Sequence, residues 1–413
     1  MRICGGMSVA KHAPMRRRFL ASFALLISCT TTSPPPPVPD VATGPLQLND
    51  VSILFPLSKT YLSASSSGAR GTLLPESLYY AIGPITGSTL PAGVGGDGSA
   101  QYGDLHVVAM RIDPCFGSLD PAPDGSGCTA QLRLIFQELT QPAGEPLNAF
   151  DSGLHAFYEL SRADLLQLAH DIAEYRAASS TGRLGALAVN PIFASEGEDG
   201  DYATGLRALI LKYAGAQNLT RVTELSMQND DFLWKFSGVD VSDAASDQFT
   251  ALPIPSLAGS AVSQTFFRNF GPPSAAQYMP STTSADDLTA LAGSDETTAQ
   301  AQAAFAALVR IDNPSDNSPN TIDCASCHTA TPLSLQIAQP EFGLVEATAP
   351  GAFQADGTYV LASELTPTFP ADLDGKLLQF HVFSYIGITA QIDQRVVNES
   401  AAVVVYLNQA LGL

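Results

Sequence analysis

Five residues, Cys324-Ala-Ser-Cys327-His328, constrain this chain more than any other stretch of its sequence. Two intervening residues make about one helical turn, so the two thiols and the imidazole serve a common centre. Three chemistries use such spacing, and two lack context here. A zinc site needs a further Cys or His pair at ligand spacing, and none remains if the other mature cysteines pair with each other. A dithiol redox motif opens a helix after a strand in a thioredoxin-like unit, and no such pattern surrounds Cys324.

The other cysteines divide cleanly. Cys4 lies in a leader, and Cys29 follows "MRRRFLASFALLIS", three arginines and then an apolar run at 19–27 that is far short of the roughly 20 residues needed to cross a bilayer. Leu26-Ile27-Ser28-Cys29 resembles the bacterial lipobox, which implies a signal peptide over 1–28, lipidation of Cys29 and residence in the cell envelope, at the outer membrane or facing the periplasm. Residues 29–45, with "TTTSPPPPVPD", then form an extended tether. Cys115 and Cys128 bracket the turn-rich "FGSLDPAPDGSG" and are expected to pair in an oxidising compartment, a closure that contributes about 3 kcal/mol.

Charge narrows the partners. The chain has 20 basic and 40 acidic residues, and the first 28 positions hold five of the basic ones (Arg2, Lys11, Arg16, Arg17, Arg18) and none of the acidic. The exported part is therefore strongly anionic and repels nucleic acid, and its membrane contact is expected through the N-terminal lipid only.

Residues 46–272 read as a mixed α/β (α+β) domain of unknown role. Strands are predicted over 50–57, 105–112, 130–139, 153–160, 184–192 and 231–239, all rich in branched and aromatic residues. In "QLRLIFQEL", Leu132, Leu134 and Phe136 alternate with Gln131, Arg133 and Gln137, the pattern of a half-buried sheet. Ser161 with Asp164 predicts a capped helix carrying Leu165, Leu168, Ala169 and Ile172, and another helix is expected over 206–213. "SEGEDGD" at 195–201 gathers carboxylates without the spacing of a calcium loop and reads as a solvated turn.

A break at 270–284 places a boundary, with a mainly α-helical domain over 280–413. There Ser294 precedes a helix bearing Ala301, Phe305, Leu308 and Val309, and Asn398 is expected to cap a closing apolar helix that ends at Gly412.

The third chemistry is covalent attachment of one haem c: Cys324 and Cys327 add to the vinyl groups, and His328 supplies the proximal imidazole to the iron. An export leader agrees with it, since haem c is attached outside the bacterial cytoplasm. On the "CASCH" motif, the preceding helix and the closing helix with Tyr406, residues 284–413 resemble the cytochrome c family, within a bacterial lipoprotein of otherwise uncharacterised type. The resemblance implies a cytochrome c-like fold and electron transfer to a redox protein partner. Two departures stand out: a long loop before Cys324, and no methionine after the motif.

The sixth ligand is then sought elsewhere. His381, in "LLQFHVFSYIG", is the first candidate, balanced against a hydrogen-bonded core histidine, and Met279 is the second. His106 and His155 sit in predicted strands, where an exposed or hydrogen-bonded imidazole is ordinary. An open distal position would instead suit a peroxidase-like haem enzyme, and a binding or structural envelope lipoprotein is the remaining alternative.

Overall fold

Arg133, Ile135 and Gln137 face away from Leu132, Leu134 and Phe136, yet all six are buried. A strand buried on both sides belongs to a sheet covered on both sides. The computed structural model describes residues 44–86, 102–115, 129–179, 185–228, 233–255, 257, 260–267, 298–337, 344–345, 348–349, 351–355 and 381–413. The unit that contains them runs from Ala42 to Leu413.

In chain order the elements are α1 (Leu48–Val51), β1 (Ser52–Leu54), β2 (Ser67–Gly68), β3 (Gly71–Thr72), α2 (Glu76–Thr86), β4 (Leu105–Asp113), β5 (Gln131–Thr140), β6 (Asn148–Ala149), β7 (Ser152–Glu159), α3 (Arg162–Ala178), α4 (Pro191–Glu196), α5 (Asp201–Tyr213), β8 (Leu219–Gln228), β9 (Leu233–Asp243), β10 (Gln248–Ala251), β11 (Ser263–Phe267), α6 (Thr298–Ile311), α7 (Cys324–Ile337), β12 (Phe383–Ile386), β13 (Thr389–Ile392) and α8 (Gln394–Leu411). The large sheet runs β1-β4-β5-β7-β8-β9-β10, with β11 beside β10 on the outer edge of β9 and β6 beside β5. Every pairing in it is antiparallel.

One face carries the helical layer. Leu165, Leu168 and Ile172 of α3, Leu206 and Ile210 of α5, and Leu407 of α8 share an apolar cluster with Leu134, Tyr158 and Val222 of the sheet. As expected, the Ser161 side chain accepts from the Asp164 amide at 3.0 Å and caps α3. The opposite face is covered by C-terminal elements: Phe383, Tyr385 and Val396 pack with Ala109, Ile135 and Leu139. Ala325 of α7 packs with Leu225, Trp234 and Phe236.

This arrangement corrects the expected fold class. The C-terminal region is not a mainly helical, cytochrome c-like domain beside an α+β one. It contains the β12–β13 hairpin and supplies the second layer of the large antiparallel sheet, while α8 is shared between both faces of the unit. The expected boundary at 272–280 lies outside the described residues, as do the leader, the tether, Cys29, Met279 and Ser294.

Three local readings also change. Residues 184–192 do not form a strand: the Asn190 side chain accepts from the amides of Ile192 and Phe193 at 3.1 and 3.0 Å, and Pro191 fits the first helical position, so α4 starts there. β8, which carries Arg221 and Glu224 mid-strand, had no clear apolar signal. Helix α8 begins one turn earlier than read, after Asp393, leaving Asn398 inside it to donate to the Asp312 carbonyl at 2.8 Å. Gly412 does end that helix, at φ 73°.

Gln137 ties the two layers. Its amide nitrogen donates to the carbonyls of Phe150, Ser152 and Tyr385 at 3.0, 3.1 and 2.8 Å, and its oxygen accepts from the Tyr385 amide at 2.9 Å. Replacing it by Ala strands buried polar groups, at about 1–3 kcal/mol each. Gln137→Ala should therefore lower unfolding stability by roughly 3 kcal/mol in urea titrations, and a loss below ~1 kcal/mol would remove Gln137 from this role.

Candidate functional site

The sheet face beneath the C-terminal layer is organised in register. Arg111, Arg133, Phe157 and Arg221 stand opposite one another across β4, β5, β7 and β8. The next row is Ile135, His155, Thr223 and Gly238, and a third is Gly153, Leu225, Phe236 and Gln264. Above these rows lies a cavity that opens to solvent. Cys324, Cys327 and His328 all line it, together with His155, His381 and the four arginines Arg111, Arg133, Arg221 and Arg395.

The motif sits on the first turn of α7, and its neighbours explain why. Asp323 precedes the helix and accepts from the Ser326 amide at 2.9 Å, an N-cap bond. Gln264 of the edge strand β11 holds this cap on both sides: its amide nitrogen donates to Asp323 at 2.6 Å, and its oxygen accepts from the Ala325 amide at 2.8 Å. Gln264 is 1% exposed, so the clamp is fixed by burial as well. Sequence reasoning missed Gln264, and only the Asp before Cys324 signalled the cap. Further along, Thr331 donates to the Asp312 carboxylate and accepts from the Gln394 amide at 3.1 Å, locking α7 to α6 and α8.

The thiols of Cys324 and Cys327 are free. Burial, with Asp323, pushes the Cys324 thiol far up, and burial pushes Cys327 up to about 11. A redox dithiol needs the opposite, a lowered thiol pKa. Among the described residues, the one grouping of three metal-donor side chains within mutual reach is His170, Asp171 and Glu174 on α3, away from the motif. Zinc coordination at Cys324, Cys327 and His328 therefore lacks a fourth donor there. The ring of His328 lies against Phe236, with centroids 5.0 Å apart.

His381 lines the cavity, but both ring nitrogens are engaged: Nε2 with Asp151 Oδ1 at 2.7 Å and Nδ1 with Ser384 Oγ at 2.7 Å. An imidazole held at both nitrogens has no lone pair for a metal, so the structure favours the core-histidine reading of His381. Met110 faces the helical layer. Cys115 is disulfide-bonded, and its expected partner Cys128 lies outside the described residues.

The cavity residues fit a large, flat, dicarboxylate-bearing group such as haem. Two free thiols and an imidazole project from one helical turn, Phe157 and Phe236 supply apolar surface, and guanidinium forks match carboxylates. Comparison with family models, curated proteins and solved structures finds no match to this chain.

Glu399 organises the cationic end. It accepts from Arg111 at 2.8 Å and Arg395 at 2.7 Å. Burial alone would raise its pKa, but Arg395, Arg111 and Arg133 overcome that and hold it at about 2. A depressed carboxylate contributes stability that is present above its unfolded pKa, near 4.5, and is lost as pH falls towards 2. Glu399→Gln should cost on the order of 3 kcal/mol at pH 7, because it leaves two buried guanidinium groups without their shared anion. The gap between the wild type and the variant in urea unfolding should shrink between pH 4.5 and 2; a constant gap would contradict this account.

Proposed function

We propose that the protein is an exported, lipid-anchored carrier of one covalently held haem c that passes single electrons to a redox protein partner. The observation that supports this best is the convergence of Cys324, Cys327 and His328 on one solvent-open cavity that is also lined by aromatic rings and four arginines. When bound, haem supplies a one-electron iron couple whose potential follows its axial ligands and surroundings.

The chain's own residues would do the rest. Cys324 and Cys327 would hold one edge of the group through thioether bonds, at sulfur positions fixed by the Asp323 cap and the Gln264 clamp. His328 would present an imidazole nitrogen, its ring seated on Phe236. Arg133 stacks over Phe157 at 4.6 Å from the ring centroid, and Arg221 donates to Asp240 at 2.7 Å. These held guanidinium groups would receive carboxylates. Leu225, Phe236 and Ile254 would exclude water, which favours a change of iron charge with little solvent rearrangement. Export and anchoring rest on the leader "MRRRFLASFALLISC" and on Cys29.

One observation favours a second reading, a peroxidase-like haem enzyme. The Asp151-His381-Ser384 chain faces the same cavity and is an acid–base relay in form. Peroxide-dependent oxidation that disappears in His381→Ala would support it.

The carrier reading makes a direct demand on the polypeptide. Protein produced in a host with haem c maturation machinery should carry the mass of one haem and keep its haem absorbance through acid-acetone extraction. Replacing Cys324 and Cys327 together by Ala should abolish both signals while the far-ultraviolet circular dichroism stays that of the wild type. A bare polypeptide mass in the wild type would end the proposal.

A further inference from the structure

An iron-binding imidazole must face the cavity and must keep a ring nitrogen that nothing else uses. Of the described histidines, His106 and His170 do not line the cavity, His328 belongs to the motif, and His381 is held at both nitrogens. His155 remains. It stands in the middle row of the sheet face, between Ile135 and Thr223, and lines the same void as His328. Its nearest ring contact is Phe157, with centroids 6.5 Å apart. Among the described residues its ring nitrogens make no hydrogen bond, in contrast to those of His381.

The geometry points to His155, presented by strand β7 from the sheet across the cavity from α7, as the second axial ligand of the haem iron. This rests on the haem reading above. It would make the site a bis-histidine one whose two ligands come from opposite layers: His328 from the helix over the sheet, His155 from the sheet itself. His328 lies against Phe236, one row along and two strands away from His155, so the two imidazoles flank the void from different walls. The Met110 thioether packs into the opposite core.

The test uses the full-length protein made with haem maturation machinery. Wild type should show a low-spin reduced spectrum that carbon monoxide does not change. His155→Ala should retain the mass of one haem but become high spin and bind one carbon monoxide per haem, and added imidazole should restore the low-spin spectrum. His381→Ala should remain low spin. If His155→Ala does not accumulate, His155→Met serves instead: it should stay low spin with a raised midpoint potential, and an unchanged potential overturns the assignment. A low-spin His155→Ala that excludes carbon monoxide, a high-spin wild type, or a high-spin His381→Ala also overturns it. Absence of haem mass on the wild type would instead sink the parent reading.

Discussion

Arginines placed opposite one another on a buried sheet face set the terms for everything around them. Arg111 and Arg133 are directly paired across β4 and β5, and Arg221 continues their row beyond Phe157. Like charges at that spacing repel, and without counter-charge their burial would be prohibitive. The fold answers from three directions: Asp113 reaches Arg133 at 3.2 Å, Asp240 reaches Arg221 at 2.7 Å, and Glu399 of the last helix bridges Arg111 and Arg395. The C-terminal helix is thus bound into the sheet through its charge as well as its apolar stripe. With it come α6 and α7, because Arg395 donates to the carbonyls of Ile311 and Asn317. The position of the Cys-His motif follows from neutralising a row of cations far from it in sequence.

The same logic divides the sheet into two chemically different faces. Towards α3 and α5 it is an ordinary apolar core. Towards α7 it is a graded floor, with arginines at one end, an imidazole in the middle and Leu225 with Phe236 at the other. Such a gradient is chemically complementary to a group that is acidic on one edge and apolar on the other. The Gln264 clamp adds precision, since the donor and the acceptor of one buried amide are both satisfied by the turn that carries Cys324.

Much of this was legible in the residues, but unevenly. The alternation of "QLRLIFQEL" gave β5 and its two faces, and Ser161 with Asp164 gave the start of α3, because those signals are local. β8 escaped because Arg221 and Glu224 interrupt its apolar run, and their burial depends on partners on other strands. The expected separate helical domain rested on a short motif, and five residues leave the surrounding architecture open. At the site, the spacing of Cys324, Cys327 and His328 drew attention to one short stretch. His381 stood first among the other histidines and His155 was set aside as an ordinary strand imidazole, because the Asp151 and Ser384 contacts of His381 are made by residues that sequence spacing does not bring together.

The cavity wall includes residues as distant as Arg111 and Glu399. A chamber assembled from such remote stretches cannot exist while the chain is still emerging, because contacts of large sequence separation close late and slowly. Until α8 docks, the cavity lacks the wall that Arg395, Val396 and Glu399 supply. The topology therefore leaves the cationic end of the chamber open to water until the final helix arrives.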